Sequence, residues 1–205
     1  MIVVVDYGIG NLGSILNMLK KIGVKAILSR NADDLRNADK LILPGVGAFD
    51  TGMKHLLDSG LVETLNDLVL NAKKPTIGLC LGMQLLTKKS EEGNLPGLGW
   101  IDAETVRFRF DGNQNALKIP HMGWNNVTTQ QAKPLLNGLE EDARFYFVHS
   151  YHIVCHHATD VLGVTHYGFD FPAIIQKENI MGTQFHPEKS HKFGMRLLKN
   201  FAELT

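Results

Sequence analysis

Cysteine is scarce in this sequence, with two in 205 residues, so a disulfide framework is excluded. Cys80 and Cys155 allow one bridge at most and suit a reducing compartment better. Neither sign of charge is in excess: Lys plus Arg and Asp plus Glu number 21 each, which gives no electrostatic case for a nucleic-acid or anionic-membrane partner. No apolar run approaches the roughly 20 residues that span a bilayer. The opening "MIVVVDYGIG" lacks the basic n-region and small-residue cleavage site of a signal peptide. Low-complexity tracts, linkers and internal repeats are missing too. What remains is a globular composition, 44% hydrophobic and 20% charged. One core-bearing domain spanning 1–205 is expected, in the cytoplasm.

The first half alternates short β-rich runs with helical stretches. "IVVVD" (2–6) is almost continuously apolar, as a strand covered on both faces should be. In "NLGSILNMLKKIG", Leu12, Ile15, Leu16 and Leu19 recur at helical spacing, and Gly23 is placed to cap the helix. Further strands are expected at 25–29, 40–44 and 75–79, and helices at 48–59, 61–72 and 82–90. This alternation predicts an α/β fold with a mostly parallel central sheet flanked by helices. From about residue 96 the segments 98–110, 116–120, 124–129, 144–155, 161–168, 171–179 and 180–186 all read as strands, adding antiparallel β-structure in the second half. An amphipathic helix over 191–204 closes the chain.

Three stretches carry chemistry-bearing residues. Gly8, Gly10 and Gly13 spell G-x-G-x-x-G between a strand and a helix, and Arg30 follows the second strand, as a module for NADP would require. Asp6 and Tyr7 argue against it, because a carboxylate directly before the loop repels a pyrophosphate and no neighbouring Lys or Arg offsets it. The bland alternative is a tight turn that needs glycine dihedrals. In "TIGLCLGMQLL" (76–86), Cys80 sits at a strand-to-helix corner between Gly78 and Gly82, the arrangement of a nucleophile elbow with cysteine in place of serine. The amino end of the next helix favours a thiolate there, and thiolate is the nucleophile. A buried structural cysteine is the commoner fate of an unpaired thiol, and Cys155 fits it; glycines on both sides fit it poorly. In "TQFHPEKS" (183–190), His186 and Glu188 point to the same side of an extended chain, about 6.5 Å apart. A carboxylate so placed can orient the imidazole and complete a Cys–His–Glu relay. An oxyanion hole would draw on the Leu81 N–H and on an amide of Val46 or Gly47 in "PGVGAF" (44–49). The histidines around "CHHATD" suggest a metal site only weakly, because successive strand residues face opposite sides and do not converge.

"PGVGAF", "GLCLGMQLL" and "FHPEKS", in this order and spacing, resemble the triad glutamine amidotransferases of class I. "DYGIGNLGS", "PHMGWN" (120–125) and "FYFVHSY" (145–151) bring the resemblance closer to the glutaminase subunits of imidazole glycerol phosphate synthases, over essentially the whole chain. The resemblance implies the amidotransferase (flavodoxin-like) fold and an L-glutamine substrate. It implies Cys80 as nucleophile, His186 as general base and acid, and Glu188 as its orienting partner. It further implies glutamine binding by Gly47, Gln84 and the backbone of Ser150 and Tyr151. His121, Met122, Trp124, Tyr146 and Lys189 would face a (β/α)8-barrel cyclase subunit that receives the ammonia in a heterodimer. No cofactor and no metal is implied. Similar glutaminases also supply ammonia to synthases that amidinate bacterial surface sugars, and the catalytic motifs are the same in both.

Overall fold

The computed structural model describes residues 1–110, 117–139 and 142–204. Its centre is an eight-stranded sheet formed by β1 (Ile2–Val5), β2 (Ala26–Ser29), β3 (Lys40–Leu43), β4 (Thr76–Leu79), β7 (Thr128–Thr129), β10 (Val161–Tyr167), β11 (Phe169–Lys177) and β12 (Ile180–Thr183). Their spatial order is β2–β1–β3–β4–β12–β11–β10–β7. The five strands from β2 to β12 are parallel, and the last three are antiparallel. Among the described residues two ribbons complete the β-structure: β5 (Ala103–Arg107) with β9 (Tyr151–Cys155), and β6 (His121–Asn126) with β8 (Arg144–His149).

The sheet is covered on both sides, as the apolar run of β1 requires. Val3 and Val5 enter one core with Leu41, Leu43, Phe49, Met53, Leu56, Leu65 and Leu85. Ile2 and Val4 point the other way, into a core with Ile15, Leu19, Leu197, Leu198 and Phe201. The helices therefore divide: α2 (Ala32–Asn37), α3 (Phe49–Asp58), α4 (Val62–Asn66) and α5 (Leu81–Leu85) on one face, α1 (Leu12–Lys21) and α6 (His191–Glu203) on the other.

Several elements differ from the sequence expectation. Helix α2 is not foreshadowed, because "ADDLRN" is one turn and a half with a single buried apolar residue, Leu35, and so shows no periodicity. The helix expected over 61–72 is α-helical only to Asn66 and continues as a π-helical turn, Asp67–Asn71. The one expected over 82–90 is the five-residue α5, after which Lys88 and Glu91 donate backbone hydrogen bonds to Ala103 and Thr105 of β5. The strand expected over 144–155 is broken at Ser150, where the chain passes from one ribbon to the other. Of the strand expected at 116–120, residue 116 lies outside the described residues and 117–120 form no strand. No helix among the described residues is long and apolar enough to cross a membrane.

Candidate active site

The loops after β3, β4 and β12 leave the carboxyl edge of the parallel sheet side by side, where open α/β sheets place their ligand crevices. They meet at a cavity of about 420 Å3 lined by Val46, Gly47, Cys80, Leu81, Gln84, Glu92, Ser150, Tyr151, His186 and Lys189 among others. Cys80 has φ 54° and ψ −108°, a left-handed conformation that a side-chain-bearing residue adopts only under constraint, typically at a cost of about 1–3 kcal/mol. The constraint is local packing. A Cβ on Gly82 would lie 2.0 Å from the Leu43 carbonyl oxygen, and one on Gly78 would lie 2.6 Å from that of Gly82. The two glycines let β4 run into α5 hard against the end of β3. The Cys80 N–H is tied to Thr183 O of β12 at 2.8 Å, and Leu81 opens α5 with an N–H that has no acceptor one turn earlier in the helix.

His186 and Glu188 flank Pro187 in the turn that follows β12. His186 Nδ1 donates to Glu188 Oε1 at 2.8 Å, and both side chains are buried. The imidazole shares the cavity lining with Cys80. Burial alone would suppress its charge, but the favourable interactions with Cys80 and Glu188 prevail and push its pKa up to about 10. The turn is fixed to β8, since His186 N–H donates to Tyr146 O at 2.9 Å while Ser190 Oγ bonds both His186 O and Tyr146 N–H.

The other expected residues divide into two groups. Val46 and Gly47 form an exposed loop on the cavity rim, and Gly47 has φ 96°. Gln84 is buried, donating to Tyr151 O at 3.1 Å and to Gln184 Oε1 at 3.2 Å. Met122 and Trp124 are exposed, at 61% and 45%, beside Tyr146, and Lys189 Nζ lies 5.7 Å from the Tyr146 ring centroid. His121 does not join this face. Strand alternation turns it inward, where it is 3% exposed and 3.0 Å from His149.

Sequence reasoning missed four residues here. Glu92 lines the cavity and accepts the Phe49 N–H at 2.9 Å, and nothing in "KSEEGN" marks which glutamate would do so. Tyr7 is buried, and its hydroxyl donates to Pro44 O at the start of the "PGVG" loop. Burial first, then the charge of neighbouring Cys80, holds the Tyr7 phenol above its ordinary value. Gln184 reaches toward Cys80 Sγ at 3.9 Å, and His149 lines the cavity wall.

The dinucleotide-like turn is otherwise engaged. Arg30 is paired with Asp6 at 2.7 Å, so an arginine distant in sequence does offset the carboxylate, and that arginine is not free for a 2′-phosphate. At the end of β9, His156 and His157 do converge, on Asp102 at 2.7 and 3.5 Å, because both lie past the strand and escape its alternation. Lys88 occupies the same carboxylate, and among the described residues no group of three or more His, Cys, Asp or Glu is placed to hold a metal ion.

A family model for "Glutamine amidotransferase class-I" matches residues 3–204. The imidazole glycerol phosphate synthase subunit HisH 2 of Pseudomonas aeruginosa is 54% identical over 205 residues, the whole of both chains. The protein of the same name from Methanococcus maripaludis is 52% identical over 98% of each chain, and subunit HisH of Leptospira borgpetersenii is 46% identical over the whole of both. Among solved structures, PurLQS from Thermotoga maritima superposes with a TM-score of 0.74 at 16% identity, covering 98% of this chain and 96% of its own. A glutamine amidotransferase from Thermotoga maritima gives 0.66 at 14% identity, covering 98% and 81%. At such identities these two likenesses speak for the fold alone.

Proposed function

Because this chain belongs to the class I glutamine amidotransferase family, we propose that it is the glutaminase subunit of an imidazole glycerol phosphate synthase. It hydrolyses L-glutamine and passes the ammonia to a (β/α)8-barrel synthase subunit. One observation carries the chemical part: a cysteine held at positive φ on a helix start, in the same cavity as a buried imidazole that is backed by a buried carboxylate. The acceptor is supported by the names of the full-length relatives.

In this mechanism the Cys80 sulfur, as thiolate, attacks the side-chain amide carbon of glutamine. The resulting oxyanion is met by the Leu81 N–H and by an amide of the Val46–Gly47 loop, each such donor typically being worth roughly 3–4 kcal/mol of barrier. A His186 held up to about pKa 10 is an imidazolium at neutral pH, so the proton for the departing nitrogen is already in place. Ammonia leaves, and a γ-glutamyl thioester remains on Cys80. His186, now neutral, takes a proton from water, the hydroxide adds to the thioester, and collapse returns the thiolate, the imidazolium and glutamate. Glu92 supplies the negative charge on the cavity wall for the α-ammonium of glutamine, and the Ser150–Tyr151 backbone frames its other end.

The loop that supplies the second amide is tied at both ends. Pro44 O is held by Tyr7 and Phe49 N by Glu92, while Val46 and Gly47 between them are exposed. A flip of the peptide between two such ties switches the oxyanion hole, so the free chain is slow and docking at the neighbouring Met122, Trp124, Tyr146 and Lys189 face turns it on. The test measures glutamate release and imidazole glycerol phosphate formation after the chain is combined with its barrel partner. Cys80→Ala should abolish glutamine-dependent synthesis and leave ammonia-dependent synthesis intact. Loss of both would make Cys80 structural, and synthesis of a different amidinated product would move the acceptor elsewhere.

A further inference from the structure

Strand β8 ends at His149 and β9 begins at Tyr151, and they belong to different two-stranded ribbons. Ser150 is the joint between them, and it lines the cavity together with Tyr151. Two-stranded ribbons are marginal by themselves, so the angle at a one-residue joint must be set by something else. The His149 side chain folds back across it, with Nδ1 2.7 Å from Tyr151 O. A carbonyl oxygen only accepts, so Nδ1 carries the proton and, in the neutral ring, Nε2 is a lone pair. That lone pair faces His121 Nδ1 at 3.0 Å, which must therefore donate. His121 Nε2 is left as acceptor for the Asn125 amide at 3.2 Å, and the same amide donates to His166 O at 2.8 Å. Every link has one allowed direction.

The surroundings keep the chain in that form. His121 and His149 stand opposite each other in the β6–β8 register. His121 stacks with Phe147 and Tyr167, at 4.8 and 4.2 Å between ring centres, while Phe108 and Phe171 close on His149 at 5.3 and 5.4 Å. Burial lowers both imidazoles, to about 4 and about 3, so both are neutral at physiological pH. Tyr151 O takes a second donor, Gln84 Nε2 at 3.1 Å, and the network runs on through Gln184 to Cys80.

We infer that His149, aimed by His121, is a positioning residue for the substrate, locking the Ser150 joint so that the backbone on the cavity wall meets glutamine in a fixed direction. This rests on the glutaminase reading above. With both ring nitrogens engaged, His149 has neither a proton nor a lone pair left for the reaction itself. Its effect is on binding.

The test uses the full-length chain carrying Cys80→Ala, which binds glutamine without turning it over, read by calorimetry with and without the barrel partner. Adding His121→Ala should weaken glutamine binding about 10-fold, the worth of one lost hydrogen bond. His121→Asn, which keeps an N–H donor near the Nδ1 position, should recover most of the loss. With Cys80 intact, His121→Ala should raise KM more than it lowers kcat. Nitrogen NMR of the ligand-free chain should show His149 as the neutral Nδ1–H tautomer between pH 6 and 8. Equal affinity with His121→Ala, no rescue by His121→Asn, or an Nε2–H His149 would each overturn the lock. A parent that takes up no glutamine in either state overturns the glutaminase reading and the positioning role with it. The NMR signature separates that case from failure of the lock.

Discussion

At the scale of single residues, chemistry is legible where it is local in sequence. Cys80 between two glycines, and His186 two positions from Glu188, are spacings whose geometry follows from a strand end or an extended turn. Glu92, Tyr7 and His149 are not legible in this way, since their places depend on contacts 37 or more residues away, or on cross-strand register. His121 shows the same limit in reverse: "PHMGWN" marks a face, but only the register decides which side chains are on it. The His186–Glu188 pair carries a prediction of its own. Glu188→Gln keeps the shape and removes the charge that helps hold the imidazolium. The His186 ring protons should then titrate well below 10, toward the ordinary 6.5, and kcat should fall by about 10²–10⁴-fold, the usual worth of a general acid–base. A variant that still titrates near 10 would mean that Glu188 does not tune the ring.

At the scale of elements, the corner between β4 and α5 shows how packing strength becomes catalytic geometry. Apolar β1, β3 and β4 announce themselves, because strands buried on both faces have no polar alternation to interrupt them. Short or broken elements do not: α2 has one apolar anchor, and the alternation of 144–155 runs straight through the break at Ser150. The close approach of β4, α5 and β3 was signalled by glycines, and its energetic consequence is testable. Gly82→Ala sets a methyl 2.0 Å from a backbone oxygen that cannot move aside without shifting β3. The expected loss is about 3 kcal/mol, at the upper end for overpacking, or a Tm lower by roughly 6–12 °C. Gly13→Ala is the control. A Cβ there meets nothing within 4 Å, in a helix, so stability should rise by about 0.5–1 kcal/mol. Equal effects at the two positions would mean that the corner is looser than its contacts imply.

For the whole molecule, the buried histidines divide the pH axis between them. In the unfolded chain each takes up its proton near pH 6.5. Folding delays protonation of His121 and His149 to about 4 and about 3, chiefly through burial, and lowers His152 for the same first reason. Between pH 6.5 and those values the unfolded chain binds more protons than the folded one, so acidification destabilises the fold, by up to about 1.4 kcal/mol per pH unit for each group. His186 has the opposite sign. Its folded form keeps the proton up to about 10, so its stabilising contribution is complete below 6.5 and is lost as the pH rises through 10. The two limbs place the histidine optimum near pH 6.5, the point at which neither class is yet penalised. Carboxylates enter only lower, which leaves pH 6.5 to 5 as a window in which the acid limb belongs to the buried histidines. Denaturant unfolding of the wild-type chain should weaken steadily across that window, and His121→Asn, which removes one titrating ring from the cluster and keeps a donor, should flatten the slope. An unchanged slope would mean that His121 is protonated in the folded chain as readily as in the unfolded one. The directed chain from Asn125 through His121 and His149 to Tyr151 would then fail along with the acid limb, because both require the same neutral ring.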